Sequence, residues 1–179
     1  MSAMHFGKAI APDTFQLQRT LNAPIERVWS YFVDAEKRSR WFTGGDTLMA
    51  NGQAFTIVFA HHRITSEKPP ERWAQMESGE FPMAGRVLAF EPPRLLAISW
   101  GDGDDPVSEV RFEFEAQGET TLLTLTHSRI ASQASLRDFA GGWTAHIHTL
   151  AEILEGRAAN RFWADVAAAH EVYEKTAGA

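Results

Sequence analysis

The amino-acid sequence predicts an α+β fold in which one strand and two short helices precede a run of antiparallel strands and a long carboxy-terminal helix. Three observations predict it. From Ser135 to Gly156 apolar residues return with helical period: at ~100° per residue, Leu136, Phe139, Ala140, Trp143, His146, Ile147, Leu150, Ile153 and Leu154 share one side of a cylinder. Several segments between Phe55 and His127 instead alternate with the period of a strand. Between residues 22 and 45, Asn22-Ala23-Pro24 opens a helical pattern and Gly44-Gly45 closes a second one.

Residues 1–13 carry no pattern and read as a lead-in. Thr14 to Leu21 alternates, with Phe15, Leu17 and Arg19 on one face, as a half-buried strand does. Asn22 can cap and Pro24 suits a first turn, so Ile25 to Asp34 reads as a helix burying Ile25, Val28, Trp29 and Phe32. A shorter helix over residues 36–42 leaves Trp41 and Phe42 at its apolar end. In Phe55 to His62 the odd residues share a face, which puts His61 in line with Phe55, Ile57 and Phe59 and turns His62 away. The polar stretch Arg63 to Gly79, broken by Pro69-Pro70, reads as a long excursion with one helical turn at Trp73 and Met76 and the composition of a flap.

Gly85 to Phe90, whose inward face is ambiguous, and Leu95 to Trp100 are strands joined at Glu91-Pro-Pro-Arg94. Val110, Phe112 and Phe114 alternate with Arg111, Glu113 and Glu115, so one face is buried and the other is a charged ladder. After the turn at Gln117-Gly-Glu119, Leu123, Leu125 and His127 share an inward face. The long helix follows, with Ser135 and Asp138 set like a capping box and Gly156 placed to end it in a left-handed turn. Its stripe turns Trp143 and Leu150 toward the sheet and His148 toward solvent. Arg157 to Thr176 adds an amphipathic helix with Phe162, Trp163, Val166, His170 and Tyr173 along one side.

Composition excludes several classes of function. With 179 residues and 44% hydrophobic content the chain can bury one substantial core. The 23 acidic and 17 basic residues give a charge of −6, which repels phosphate backbones, so no nucleic-acid partner is expected. The absence of cysteine removes disulfides and thiolate chemistry. No membrane span and no signal-like apolar run is visible, and a cytoplasmic location is the expectation.

Metal and phosphate motifs are weak. His61 and His62 lie on opposite strand faces, and His146 and His148 are about 200° apart on a helix, so neither pair chelates one ion; no metal and no cofactor is expected. Asp102-Gly-Asp-Asp105 lacks the later ligands of a calcium loop and reads as a solvated turn. The long helix holds the two unusual features. Gly141 and Gly142 each weaken a helix by up to ~1 kcal/mol relative to alanine, which close backbone approach or room for a ligand would explain. His146 interrupts the apolar stripe, either as a core histidine bonded to a carbonyl or as a functional group.

Residues 23–29 (Ala-Pro-Ile-Glu-Arg-Val-Trp) with Arg40-Trp-Phe42, Glu91-Pro-Pro-Arg-Leu-Leu96 through Trp100, Leu123-Thr-Leu-Thr-His-Ser128 and Gly141-Gly-Trp143 through Leu150 resemble the bacterial relatives of the activator of heat-shock protein 90 ATPase. These belong to the START-like, birch-pollen-allergen-like (SRPBCC) superfamily, which also holds polyketide cyclases. The resemblance implies a helix-grip fold over residues 14–156, in which a curved antiparallel sheet wraps the long helix around a cavity for apolar molecules. It carries over no catalytic residue. Residues 157–179 would then be an additional helix, packed on the domain or on a second subunit of a homodimer, and this helix or the 63–78 excursion could cover the cavity mouth.

The resulting expectation is a non-catalytic binder of a small apolar or aromatic molecule. The inward-facing candidates for its site are Trp41, Phe55, Phe59, His61, Trp100, Phe112, Phe114, His127, Phe139, Trp143, His146, Ile147 and Leu150. A cyclase- or dehydratase-like enzyme using an inward histidine as general acid or base is the alternative, and a chaperone-interacting role is a weaker one. A core filled by the same aromatic side chains would leave no site at all.

Overall fold

The computed structural model describes residues 3–101 and 107–176; the Asp102-Gly-Asp-Asp105 turn lies outside them. The strands are β1 (Lys8–Ala11), β2 (Thr14–Leu21), β3 (Gly44–Gly45), β4 (Ala54–Phe59), β5 (Phe81–Glu91), β6 (Leu95–Trp100), β7 (Ser108–Gln117) and β8 (Thr120–Ser128). They form one antiparallel sheet in the order β1-β2-β8-β7-β6-β5-β4-β3. The helices are α1 (Ile25–Val33), α2 (Ala35–Ser39), α3 (Gln133–Leu154) and α4 (Phe162–Thr176). The curved sheet grips α3, as the sequence predicts.

The inward pattern follows the alternation. Across β7 and β8, Val110 faces His127, Phe112 faces Leu125 and Phe114 faces Leu123, and all six side chains are buried. The charged ladder of Arg111, Glu113 and Glu115 lies on the other face. Strand β5 shows why its inward face is ambiguous in sequence: the register with β6 shifts between Val87 and Ala89, so a bulge breaks strict alternation. Part of the lead-in is also a strand, since Lys8–Ala11 extends the sheet edge along β2. Its residues are exposed, which leaves no apolar alternation to read.

Several helix ends differ from expectation. Helix α3 begins at Ser132, whose hydroxyl accepts from the Ser135 backbone N–H at 3.1 Å, three residues before the predicted cap. Asp138 is thereby free to take Arg72, at 3.0 and 3.1 Å. Asn22 does not cap α1; Pro24 occupies the cap position without a side-chain bond. Gly156 does end α3, at φ +73°.

Arg38 is buried although its neighbours on α2 are solvated. Its guanidinium donates to the Phe32, Val33, Thr43, Gly44 and Asp46 carbonyls and to the Thr43 hydroxyl. These bonds tie the end of α1 to the 43–46 segment and fix the turn that carries Trp41 and Phe42.

Helix α4 packs along α3. Tyr173 fastens its far end: its hydroxyl shares a hydrogen bond with Thr144 at 2.8 Å and accepts from the Gly7 N–H at 2.9 Å, with Phe15 edge-on to its ring. Gly141 is explained at the same interface. A Cβ there would collide with the His170 imidazole, so the glycine lets that ring lie on the α3 backbone. His148, expected in solvent, is buried instead. Arg19 from β2 donates to its Nδ1 at 3.3 Å and Asp165 of α4 stands 3.8 Å from its Nε2. The polar side of α3 needed a cover that helical periodicity alone could not reveal.

Candidate functional site

The grip is not filled throughout. A cavity of about 320 Å³ lies between α3, the ends of β4 and β6, and a roof made by α4 and the excursion. The excursion follows β4 directly: a 3₁₀ turn at His61–Arg63 turns the chain out, and a second at Glu71–Met76 brings it back over the cavity. Its anchors are specific. The Glu67 carboxylate accepts from the Trp163 and Ala164 N–H groups at the amino end of α4, at 2.8 and 3.3 Å. The Asn160 carbonyl oxygen accepts from Ser66 N and Oγ and from Thr65 Oγ1. Arg72, 4.7 Å above the Trp73 ring, holds Asp138 on α3. The two segments that exceed a simple helix-grip pattern therefore roof the cavity together.

The site candidates named from sequence divide into two groups. Phe59, His61, Trp100, Phe139, Trp143 and His146 line the cavity. Trp41, Phe55, Phe112, Phe114, His127, Ile147 and Leu150 are buried behind it and do not reach the wall. Phe112 and Phe114 pack on Phe32 with ring centroids at 5.0 and 4.8 Å, so the lower part of the grip is solid aromatic core. The sequence stripe gives the direction of these side chains but not the depth at which the packing stops. The wall also contains Phe42, Trp73, Met76, Phe81, Phe162, Trp163, Val166 and His170, which the sequence reading did not assign to the site. The helical spacing of Trp73 with Met76 and the stripe on α4 were visible; their common target was not.

His127 is a satisfied core histidine. The Trp143 indole N–H can only donate, and it donates to Nδ1 at 3.1 Å, so the ring proton sits on Nε2, 2.8 Å from Ser108 Oγ. His146 is held by Nδ1, 2.7 Å from the Trp41 carbonyl. Trp41 thus reaches the site through its backbone while its indole bonds the Tyr31 carbonyl at 2.9 Å. His61 is not on β4; it lies in the turn after it, 5% exposed, among His146, Phe162 and Trp163 with centroids at 5.1 to 5.6 Å. The Nδ1 of His61 is closed to solvent and has no protein partner among the described residues, and the same holds for the Nε2 of His170. Burial lowers the imidazole pKa to about 4 for His61 and about 3 for His127 and His146, so all three are neutral at pH 7.

Gly142 lines the cavity, and a Cβ there meets nothing within 4 Å. Gly142→Ala should therefore raise stability by about 0.5–1 kcal/mol through helix propensity while narrowing the site. Thermal denaturation with a binding titration checks both effects; a loss of stability would contradict the open space beside this residue. Among the described residues the wall contains no lysine or arginine, and Asp138 at the rim is its one acidic side chain. Among the described residues no group of three His, Asp or Glu side chains could hold a metal ion, and no helix is long and apolar enough to cross a membrane.

A curved antiparallel sheet around a long helix, with a cavity between them, defines a helix-grip protein of the START-like (SRPBCC) superfamily. Residues 22–155 match the family described as Activator of Hsp90 ATPase homolog 1-like protein, and the chain belongs to that family. A Bordetella parapertussis protein of known solution structure is 41% identical over 97% of this chain and 92% of its own, with a TM-score of 0.79. CalU16 from Micromonospora echinospora is 21% identical over 97% of this chain and 96% of its own, with a TM-score of 0.67. DynU16, from the dynemicin biosynthetic locus, is 20% identical over 84% of this chain and 50% of its own, at 0.66. The last two share the fold. No curated protein matches the chain.

Proposed function

We propose that the protein binds a small, neutral, predominantly aromatic molecule in this cavity and does not transform it. The observation that carries this reading is a roofed space of about 320 Å³, walled by aromatic rings, whose three imidazoles His61, His146 and His170 each carry a nitrogen with no protein partner among the described residues. The volume falls in the range of about 300–1,000 Å³ usual for small-molecule sites. Burial also weighs against proton-transfer chemistry, because imidazoles with pKa values of about 3 and 4 are poor bases at pH 7, and the imidazolium that would serve as a general acid is not populated there.

Naphthalene, added to the full chain at pH 7, should quench the emission of the wall tryptophans, raise the melting temperature and be recovered unchanged. Naphthalene-2-sulfonate should neither quench the emission nor raise the melting temperature, because its charge would lose hydration against a wall with no lysine or arginine among the described residues. Binding of the sulfonate as tightly as the hydrocarbon, or no effect of either, would overturn the proposal.

A further inference from the structure

His146 is fixed in one tautomer. A backbone carbonyl can only accept, so the bond from Nδ1 to the Trp41 carbonyl at 2.7 Å places the ring proton on Nδ1. The opposite nitrogen, Nε2, is then an acceptor with a bare lone pair. It has no protein partner among the described residues, and His146 is part of the cavity wall. Two of the indole donors nearby are committed elsewhere, Trp143 to His127 at 3.1 Å and Trp41 to the Tyr31 carbonyl at 2.9 Å. The neighbouring Phe42 and Phe162 rings, at 5.1 and 4.6 Å between centroids, offer no N–H or O–H.

His61 complements this acceptor. The residue is 5% exposed, its Nδ1 has no partner among the described residues, and its ring centroid is 5.6 Å from that of His146. That separation allows one oxygen atom to lie about 2.8 Å from a nitrogen of each ring. Because neutral imidazole always carries one N–H, His61 can donate to an oxygen whose own proton goes to His146.

We infer that the preferred ligand is a hydroxylated aromatic, whose O–H donates to Nε2 of His146 while its oxygen accepts from His61. The inference rests on the binding reading above and narrows it to a chemical class. Ethers and hydrocarbons of the same shape enter the same space but leave Nε2 unpaired, and an ether oxygen sets acceptor against acceptor. Burial keeps His146 unprotonated at pH 7, so its acceptor character persists there.

The test uses the full chain at pH 7 with 2-naphthol, 2-methoxynaphthalene and naphthalene as probes. 2-Naphthol should bind roughly tenfold tighter than either of the others. With ¹⁵N-labelled histidine, the Nε2 resonance of His146 should move with 2-naphthol and not with 2-methoxynaphthalene. His146→Leu should abolish the preference for 2-naphthol over 2-methoxynaphthalene and naphthalene. Should this variant fold poorly, the probe comparison and the Nε2 resonance in the unaltered protein decide the question. Equal binding of all three probes overturns the donor inference and leaves the cavity reading standing. Failure of all three to bind overturns both.

Discussion

Arg38→Met is expected to remove roughly 4 kcal/mol of stability, a large part of the about 5–15 kcal/mol that holds a domain folded. The side chain is 3% exposed and donates six hydrogen bonds, five to backbone carbonyls of residues 32–46 and one to the Thr43 hydroxyl. Methionine matches its stem and removes every donor, so carbonyls already desolvated lose their partners. Burial lowers the guanidinium pKa to about 10, against the pull of Asp34 and Asp46, which still leaves it charged at pH 7. The damage should extend to the site, because the same bonds hold the turn that carries Phe42 on the wall and the Trp41 carbonyl on His146. Urea denaturation at pH 7.5 measures the loss, and Arg38→Lys should fall only partly short of it, since one ammonium cannot span five carbonyls. A loss below about 1 kcal/mol for the methionine variant would show that these bonds are dispensable.

Mild acid should be nearly as damaging. His61, His127 and His146 have folded pKa values of about 4, 3 and 3, all depressed by burial below the unfolded value of about 6.5. The folded state refuses protons that the unfolded chain accepts, so the stability they permit is complete above about pH 6.5 and is lost as pH falls toward 4. Each contributes about 1.4 kcal/mol per pH unit in that window, together about 4 kcal/mol per unit. Asp165 acts in the opposite sense. Its carboxyl is raised to about 6 by burial, with Glu67 and Glu152 adding to it against Arg161, so the folded state takes up a proton as pH falls through 6 and offsets about one histidine. For these four groups the slope is roughly 3 kcal/mol per unit, so that about 4 kcal/mol is lost between pH 6.5 and 5, a large part of the about 5–15 kcal/mol that holds a domain folded. Urea midpoints at pH 7.5 and 5.5 check this directly. Identical midpoints would mean that the histidines titrate in the folded state near their ordinary value.

These two predictions rest on features of different legibility. The inward histidines could be placed because strand alternation and helical periodicity fix direction: His127 follows Leu123 and Leu125, and His146 sits in the stripe of Trp143, Ile147 and Leu150. Arg38 could not. It stands in a polar run, Glu36-Lys-Arg-Ser-Arg40, where nothing marks one cation as buried, and its five carbonyl partners lie in loop backbone that exists only after the chain has turned twice.

The same division runs through the site. Local periodicity by itself determined the order of the main strands and helices, the two faces of each clear strand, and the side of α3 that meets the sheet, because each depends only on which residues 2 or 3.6 positions apart are apolar. Only the tertiary structure decided which inward rings fill space and which enclose it. Phe112 and Phe59 are alike in sequence pattern, yet one packs on Phe32 and Trp143 while the other lines the cavity. It also decided that His148 is buried, because α4 crosses it, and that the excursion and α4 share one task, because Glu67 and Asn160 join them across more than ninety residues of chain. Depth, closure and the meeting of distant segments are properties of packed volume, and volume is set by contacts between residues that no local period relates.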